Sequence, residues 1–466
     1  MNVKLIAVVA VVVVAAGAVG GVIILNNNNN SSDDTKMSDA RFALQVLGNA
    51  NEDATIDNKD LKIIEKIIDG DLQYSDYPYA DANNDKKVDD SDKTIVKDLI
   101  DRKSGTAAYV VNTDSRSSNQ AEIVTKVTYP LAKIVPYGVN IVEPIIAIDG
   151  GRCVAAYFAS GYPNQEASMQ GVDLKGGSRS IGDKAWQNFI TTDATVGFDA
   201  FVLTYDARAQ VLDTYVDDLN DADIPLLCFP AASPDGEANA ALTLGFLFGG
   251  NSEKLGEKYA DIYNEVLDTL KDKLGSLQDA EKTVYLAMTM YTSICQNSST
   301  YQDTGLAAYG VPYYTTDAAF ADKYAGTSST ASASVEALAN INMQKIANYR
   351  SMDQTKSNAE IKQVIIDTFE YENSKGVQLL ALLKGSKLYD STNDTLNGVY
   401  LVNNVIPAPA RVAYTAAILY DSLTFDWADG IMQKFIDEGF TSFKDKTLND
   451  NILTVFGYDD YKAAKA

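Results

Sequence analysis

The sequence predicts an α/β protein. Two α/β units are separated by a long helical stretch, behind a small all-α duplicated module and an apolar N-terminal run. Three observations support this. From Ala107 onward, short apolar runs alternate with segments of helical periodicity. Glu237 to Leu274 keeps that periodicity throughout, broken only at Gly249-Gly250-Asn251. Two acidic segments beginning at Asn49 and Asp81, 32 residues apart, align position by position. A chain of 466 residues has room for two or three domains with sizeable cores.

Composition removes whole classes of function. The chain holds 63 Asp+Glu against 39 Lys+Arg, a net charge of −24. Nucleic acid is excluded as a partner because phosphate binding needs a basic footprint, and anionic headgroups repel such a surface. Hydrophobic residues at 46% and charged residues at 22% exclude wholesale disorder. With no histidine, Ser–His–Asp triads, Cys–His dyads and histidine-ligated zinc or haem are impossible. Cys153, Cys228 and Cys295 are widely spaced and odd in number, and no CxxC pair occurs. They read as small buried apolar residues, with one bridge left open.

At the N-terminus, Leu5 to Leu25 is an uncharged run of 21 residues behind Lys4, long enough to cross a hydrocarbon core as a helix. Residues 26–37, opening with Asn26 to Asn30, are polar and read as a flexible tether. A signal-anchor over residues 1–25 is the preferred reading and a cleaved signal peptide the alternative. Either one puts Lys4 on the cytoplasmic side and everything after Asn26 on the extracellular face. The sequons at Asn297 and Asn393 are compatible with export.

The duplicated segments come next. Asn49 to Asp60 and Asp81 to Asp92 each precede an amphipathic stretch, Leu61 to Ile68 and Lys93 to Ile100. Oxygen side chains stand at positions 1, 3, 5, 9 and 12, with a backbone carbonyl available at position 7. This is the donor set of a hard cation such as calcium. Ile56 and Val88, at position 8, would pair the loops through a small apolar contact. A solvated acidic run would show neither the spacing nor the second copy.

Over roughly residues 38–105 the chain resembles dockerin, a calcium-binding duplication that plugs into cohesin modules. The resemblance implies two calcium sites. Asn49, Asn51, Asp53, Thr55 (through its carbonyl), Asp57 and Asp60 would form one. Asp81, Asn83, Asp85, Lys87 (carbonyl), Asp89 and Asp92 would form the other. The first loop supplies three ligand carboxylates and the second four, so the second is expected to bind more tightly. Position 6, usually glycine, is Ala54 in one loop and Lys86 in the other, which implies strain in both. Cohesin contact would use positions 10 and 11, namely Asn58, Lys59, Asp90 and Ser91. A purely structural calcium module stands beside that reading.

In the remaining chain the candidate strands are Ala132–Val135, Ile145–Ile148, Val154–Phe158, Phe201–Leu203, Pro225–Phe229, Thr283–Met288 and Val399–Val402. Candidate helices are Val211–Ala222, the long stretch after Glu237, Ala413–Leu419 and Trp427–Glu438.

The order of these pieces resembles the substrate-binding proteins of ABC importers whose two lobes are joined by a rigid helix, the class that handles iron-siderophores, haem and cobalamin. The matching stretches are Val127 to Val135, Gly182 to Tyr205, Ala222-Asp-Ile-Pro-Leu-Leu227, Leu244 to Tyr263, Ser334-Val-Glu-Ala-Leu338 and Ala408-Pro-Ala-Arg411. The resemblance implies lobe one over 107–235, a bridging helix over 236–275 and lobe two over 276–466. It implies no enzymatic activity, an ABC permease as partner, and a metal chelate or corrinoid as cargo. Docking acids on the two lobes would be Asp183 and Glu336; for Glu336, a solvated acid at the positive end of a helix is an equal reading.

Ligands of such proteins sit between lobes, beyond the carboxyl ends of the strands. That nominates Tyr137, Tyr157, Tyr205 and Phe229 from lobe one and Tyr291, Tyr349, Arg350 and Arg411 from lobe two. Tyrosine offers a flat apolar face with a polar tip, and arginine a fork for carboxylates. With 27 tyrosines in the chain, any single one is more often a packing residue, and Arg411 is equally an ion-pair candidate. Two other functional readings stay open, a cell-surface scaffold docking on cohesin-type partners and, less favoured, an extracellular enzyme.

Overall fold

The computed structural model describes residues 36–158 and, from 173 to 466, all but 175–182, 194–196, 206–212, 231–232, 279–280, 290–292, 296–310, 312–313, 316–329, 333, 341, 351–356, 404–405 and a few positions within 441–451. The apolar run Leu5–Leu25, Tyr291 and the Asn297 sequon lie outside the described residues. No helix among the described residues is long and apolar enough to cross a membrane.

The duplicated module forms two helices, α1 (Asn58–Ile68) and α2 (Asp90–Ile100). Each begins at a capping box, Asp57 with Asp60 and Asp89 with Asp92, which satisfies orphan amides at the helix start. Their inner faces bury Ile63 and Ile64, Val96 and Leu99. An antiparallel hairpin follows, β1 (Thr106–Thr113) with β2 (Glu122–Tyr129), in register Thr106↔Tyr129 to Thr113↔Glu122.

Lobe one is built on β3 (Ile134–Tyr137), followed by α3 (Val139–Ala147), the short paired strands β4 (Ala156–Tyr157) and β5 (Asp173–Leu174), and α4 (Asp183–Asn188). Then come β6 (Ala200–Thr204), α5 (Asp213–Asp221) and β7 (Leu226–Phe229), giving a parallel sheet β3-β6-β7. Ile145–Ile148, expected as a strand, is instead the end of α3 and its cap. A short run of buried apolar residues has no period that separates strand from buried helix.

The long helical stretch resolves into α6 (Pro234–Phe248) and α7 (Asn251–Leu274). The chain reverses at Gly249 and Gly250, with φ of +68° and +64°. The two helices then pack antiparallel. A Cβ on Gly256 would lie 2.5 Å from the Ala241 carbonyl, and one on Gly245 2.6 Å from that of Ser252, so only glycine permits this approach. The expected bridging element is therefore a helical hairpin, with α7 alone about 36 Å long at helical rise.

Lobe two holds a mixed sheet. Its strands are β8 (Val284–Thr289), β9 (Ser293–Cys295), β10 (Tyr314–Thr315), β11 (Thr330–Ser332), β12 (Lys345–Arg350), β15 (Val399–Asn403) and β16 (Val455–Gly457). Between β12 and β15 lies a small hairpin, β13 (Tyr389–Asp390) and β14 (Thr395–Leu396). The order is β11-β9-β8-β12-β15-β16, with β10 also on β8, and β8, β12 and β15 run parallel. Helices α8 (Val335–Asn340), α9 (Asn358–Phe369), α10 (Leu379–Lys384), α11 (Ala408–Leu419), α12 (Phe425–Asp437) and α13 (Tyr458–Lys465) complete it. One apolar core runs from Phe42 and Ile63 through α6 and α7 to Phe435 of lobe two. Separate cores form around Trp186 in lobe one and Phe369 in lobe two. Cys153 and Cys228 are buried free thiols.

Candidate binding sites

The two acidic loops repeat one hydrogen-bond plan. At position 12, Asp60 accepts from the amides of Asn51 (3.0 Å) and Asp57 (2.8 Å), and Asp92 from those of Asn83 (3.1 Å) and Asp89 (2.8 Å). At position 3, Asn51 accepts from the Asp53 amide and Asn83 from that of Asp85. At position 5, Asp53 accepts from Thr55 and Asp85 from Lys87. The spacing produces this directly, since short side chains two and three residues apart close Asx turns around the loop. Burial, reinforced by the Asp53 and Asp57 charges, pushes the Asp60 carboxyl up to about 7, and burial also raises Asp92.

Position 1 breaks the symmetry. Asp81 accepts from the amides of Asp85 (3.0 Å) and Lys86 (2.8 Å), and Lys86 takes the left-handed φ of +72°. Asn49 donates instead, from Nδ2 to the carbonyls of Leu44 (2.8 Å) and Asp53 (2.7 Å). Its Oδ1 is buried with no hydrogen-bond partner. Ala54 stays out of the left-handed region, so the strain expected at position 6 of both loops is found only at Lys86, while position 4 is left-handed in both, at Glu52 (+55°) and Asn84 (+58°).

Among the described residues no three carboxylates or thiolates converge as a preformed metal cluster, because the loop carboxylates are turned onto backbone amides. The donor inventory nevertheless fits a hard cation. Every candidate ligand is an oxygen, and a fully buried acceptor is left open in the first loop, which costs about 1–3 kcal/mol if nothing meets it.

The residues nominated for the cleft are mostly committed elsewhere. Tyr137, ending β3, is buried in the lobe-one core, and burial holds its hydroxyl up at about 12. Phe229, ending β7, is buried in the main core. Tyr205 donates to the Ser117 carbonyl at 2.6 Å, on the hairpin turn. Tyr349 is buried in β12 and donates to Thr415 at 3.1 Å. Arg411 lies in the first turn of α11, buried, with Nη2 3.5 Å from Glu237 of α6. A strand-end position identifies an edge of the sheet, but helices folded over that edge bury it. Tyr157 lies in β4, Arg350 ends β12 and Asp183 opens α4. Glu336 is exposed in the first turn of α8.

What the fold gathers where α3, α6, α7 and α11 meet is a different set. Glu237 accepts from Tyr263 at 2.7 Å and pairs with Arg411, and Tyr259 donates to Glu143 of α3 at 3.1 Å. Burial, then the Glu237 charge, raises the Glu143 carboxyl to about 8, against the opposing pull of Arg411. Sequence reasoning missed both acids. Their signal was an acid inside a mostly apolar helix, Glu143 alone in Val139–Ala147 and Glu237 beside Asp235 in Pro234–Phe248.

A further groove of about 350 Å³ lies between the β1–β2 hairpin and lobe one, with Asp114, Arg116, Lys126 and Asp223 among its lining residues.

No family model matches the chain. No curated protein matches it either. Solved structures do. FepB from Veillonella parvula, described as a TroA-like periplasmic binding protein, superposes with a TM-score of 0.52 at 13% identity, covering 74% of this chain and 99% of that one. A periplasmic solute binding protein from Veillonella parvula DSM 2008 gives 0.47 at 14% identity, over 73% and 94%. The molybdate periplasmic binding protein MolA of Haemophilus influenzae gives 0.48 at 11%, over 72% and 98%. The first of these shows a shared fold, the mixed α/β architecture of TroA-like periplasmic binding proteins.

Proposed function

We propose that the chain is the extracellular solute-binding component of an ABC importer, tethered by residues 1–25 and carrying a calcium-dependent module at residues 38–105. The observation behind this is the fold likeness, which takes in almost the whole of a periplasmic binding protein and still leaves about a quarter of this chain outside the match. The absence of histidine favours a ferric chelate or corrinoid over a haem ligated through imidazole. The cargo would be held between the lobes and handed to a permease, with Asp183, at the start of α4, and the exposed Glu336 as docking acids. It is a carrier and performs no chemistry on its cargo.

Calcium would be held in the first loop by Asn49, Asn51, Asp53, Asp57, Asp60 and the Thr55 carbonyl, and in the second by Asp81, Asn83, Asp85, Asp89, Asp92 and the Lys87 carbonyl. It would neutralise loop charge and cross-link each loop to the helix that follows. Asn58, Lys59, Asp90 and Ser91 are exposed, which keeps a second reading in view, a surface protein that also docks a cohesin-type partner.

Mass spectrometry of cargo co-purifying with the chain, followed by calorimetric titration with ferric siderophores, haem and cobalamin, tests the transport reading. One saturable ligand is expected. No binding across the panel together with no co-purifying ligand would count against it.

A further inference from the structure

The duplicated module is built into the receptor, gripping the α6–α7 hairpin at two points. Arg102, just past α2, donates through Nε and Nη2 to both carboxylate oxygens of Glu253 in the first turn of α7, and stacks 4.8 Å from the centre of the Phe246 ring on α6. Arg41 donates to the Asn264 side chain (3.2 Å) and to Asp268 (2.7 Å) further along α7. Those two grips stand about 22 Å apart at helical rise, from residue 253 to residue 268.

Between them, the segment leading into the first loop is tied on both sides. The Ala43 and Gln45 amides donate to Asn239 and Thr243 of α6, each at 3.0 Å. Leu47 donates to the Tyr109 carbonyl and Val111 to that of Gln45, adding this segment to the edge of β1. The first loop closes on the same segment. The Leu44 amide donates to Asp53 (2.9 Å), and Asn49 Nδ2 holds the Leu44 carbonyl (2.8 Å). Gly48 then donates to the Tyr79 carbonyl at 2.6 Å, joining the first loop to the segment before the second.

We infer that the acidic loops form an ion-dependent brace on the helical hairpin between the lobes, so that calcium bound in them stiffens the receptor frame itself. The inference rests on the calcium reading above. The residue whose buried Oδ1 lacks a partner, Asn49, is also the one that fastens Leu44, so an ion meeting that oxygen would lock the strap lying across α6. Without an ion, the open acceptor and the repelling loop carboxylates favour loosening of loop and strap together. One continuous core from Ile63 to Phe435 would pass that loosening to the lobes.

The test uses the full chain, stripped with chelator and titrated with calcium chloride, and reads calorimetry, thermal melting and amide exchange. The expected result is saturable binding, one melting transition raised by about 5 °C or more, and exchange across residues 239–268 slowed about tenfold. Arg41→Ala with Arg102→Ala should keep the calcium titration and lose the response in 239–268. Binding whose protection stays within 49–60 and 81–92 would overturn the brace and leave the calcium sites standing. No binding at all would overturn both. Asp85→Ala, at an exposed loop position, separates lost binding from lost folding.

Discussion

Glu237 and Arg411 meet 3.5 Å apart, both almost out of solvent, one from α6 and the other from α11 of lobe two. Tyr263 of α7 adds a hydroxyl to the same carboxylate, so three helices converge on one charge. A buried pair of this kind gives modest net stability, but losing one partner leaves the other uncompensated.

Arg411→Ala should therefore destabilise by about 3–5 kcal/mol in urea titrations. Arg411→Met with Glu237→Gln should recover a large part of that loss. Equal losses in the single and double variants would mean that the charge pairing plays no part.

Glu143 makes stability depend on pH. Its carboxyl sits near 8 in the folded chain and near the ordinary 4.5 when unfolded. Between those values the folded state holds a proton that the unfolded state has released, so stability falls as pH rises through about 4.5 to 8 and levels off above. The groups facing it are Tyr259, Glu237 and Arg411. Glu143→Gln should match the parent near pH 4 and exceed it by roughly 2–4 kcal/mol at pH 9. Melting curves at pH 4, 7 and 9 check this, and a pH-independent difference would refute it.

The asymmetry at loop position 1 predicts unequal calcium affinities. Asp85→Ala should abolish the tighter step of a calcium titration, and Asp53→Ala the weaker one. Two steps unmoved by any of these substitutions would sink the assignment.

Gly256→Ala should cost about 1–3 kcal/mol, because its methyl group would stand 2.5 Å from the Ala241 carbonyl and force the α6–α7 hairpin apart. Gly430→Ala is the control. It lies inside α12, exposed and with nothing within 4 Å, so it should stabilise by roughly 0.5–1 kcal/mol. Denaturant midpoints for the two variants should move in opposite directions.

Much of the architecture was legible in the chain. The repeat at Asn49 and Asp81 located both capped helices, because the same short acidic side chains that would ligate an ion also cap the helix that follows. Strands at Phe201, Leu227 and Val399 followed from apolar runs bounded by turns, and the Gly249-Gly250 break was visible as composition. These are local signals, decided within about ten residues.

The candidate cleft was legible only as sheet edges. Tyr137, Phe229, Tyr349 and Arg411 sit at strand ends or helix starts as expected, yet all four are buried. Whether a strand end faces solvent depends on which helix lies over it, a long-range relationship with no trace in the local pattern. The same holds for Glu143 and Glu237. Each looks like a stray acid in an apolar helix until Tyr259, Tyr263 and Arg411 arrive from elsewhere in the chain to meet it.

By itself the sequence determined the α/β class, the duplicated loops, the exclusion of histidine chemistry and the helical break, since composition and short-range periodicity suffice for those. Tertiary structure alone decided that the module grips α7 through Arg41 and Arg102, and that Arg411 turns inward to Glu237. The physical reason is that a charged side chain has no preferred partner in sequence. Burial selects one by the cost of leaving the charge unmet, and only the packed fold determines which groups are buried together.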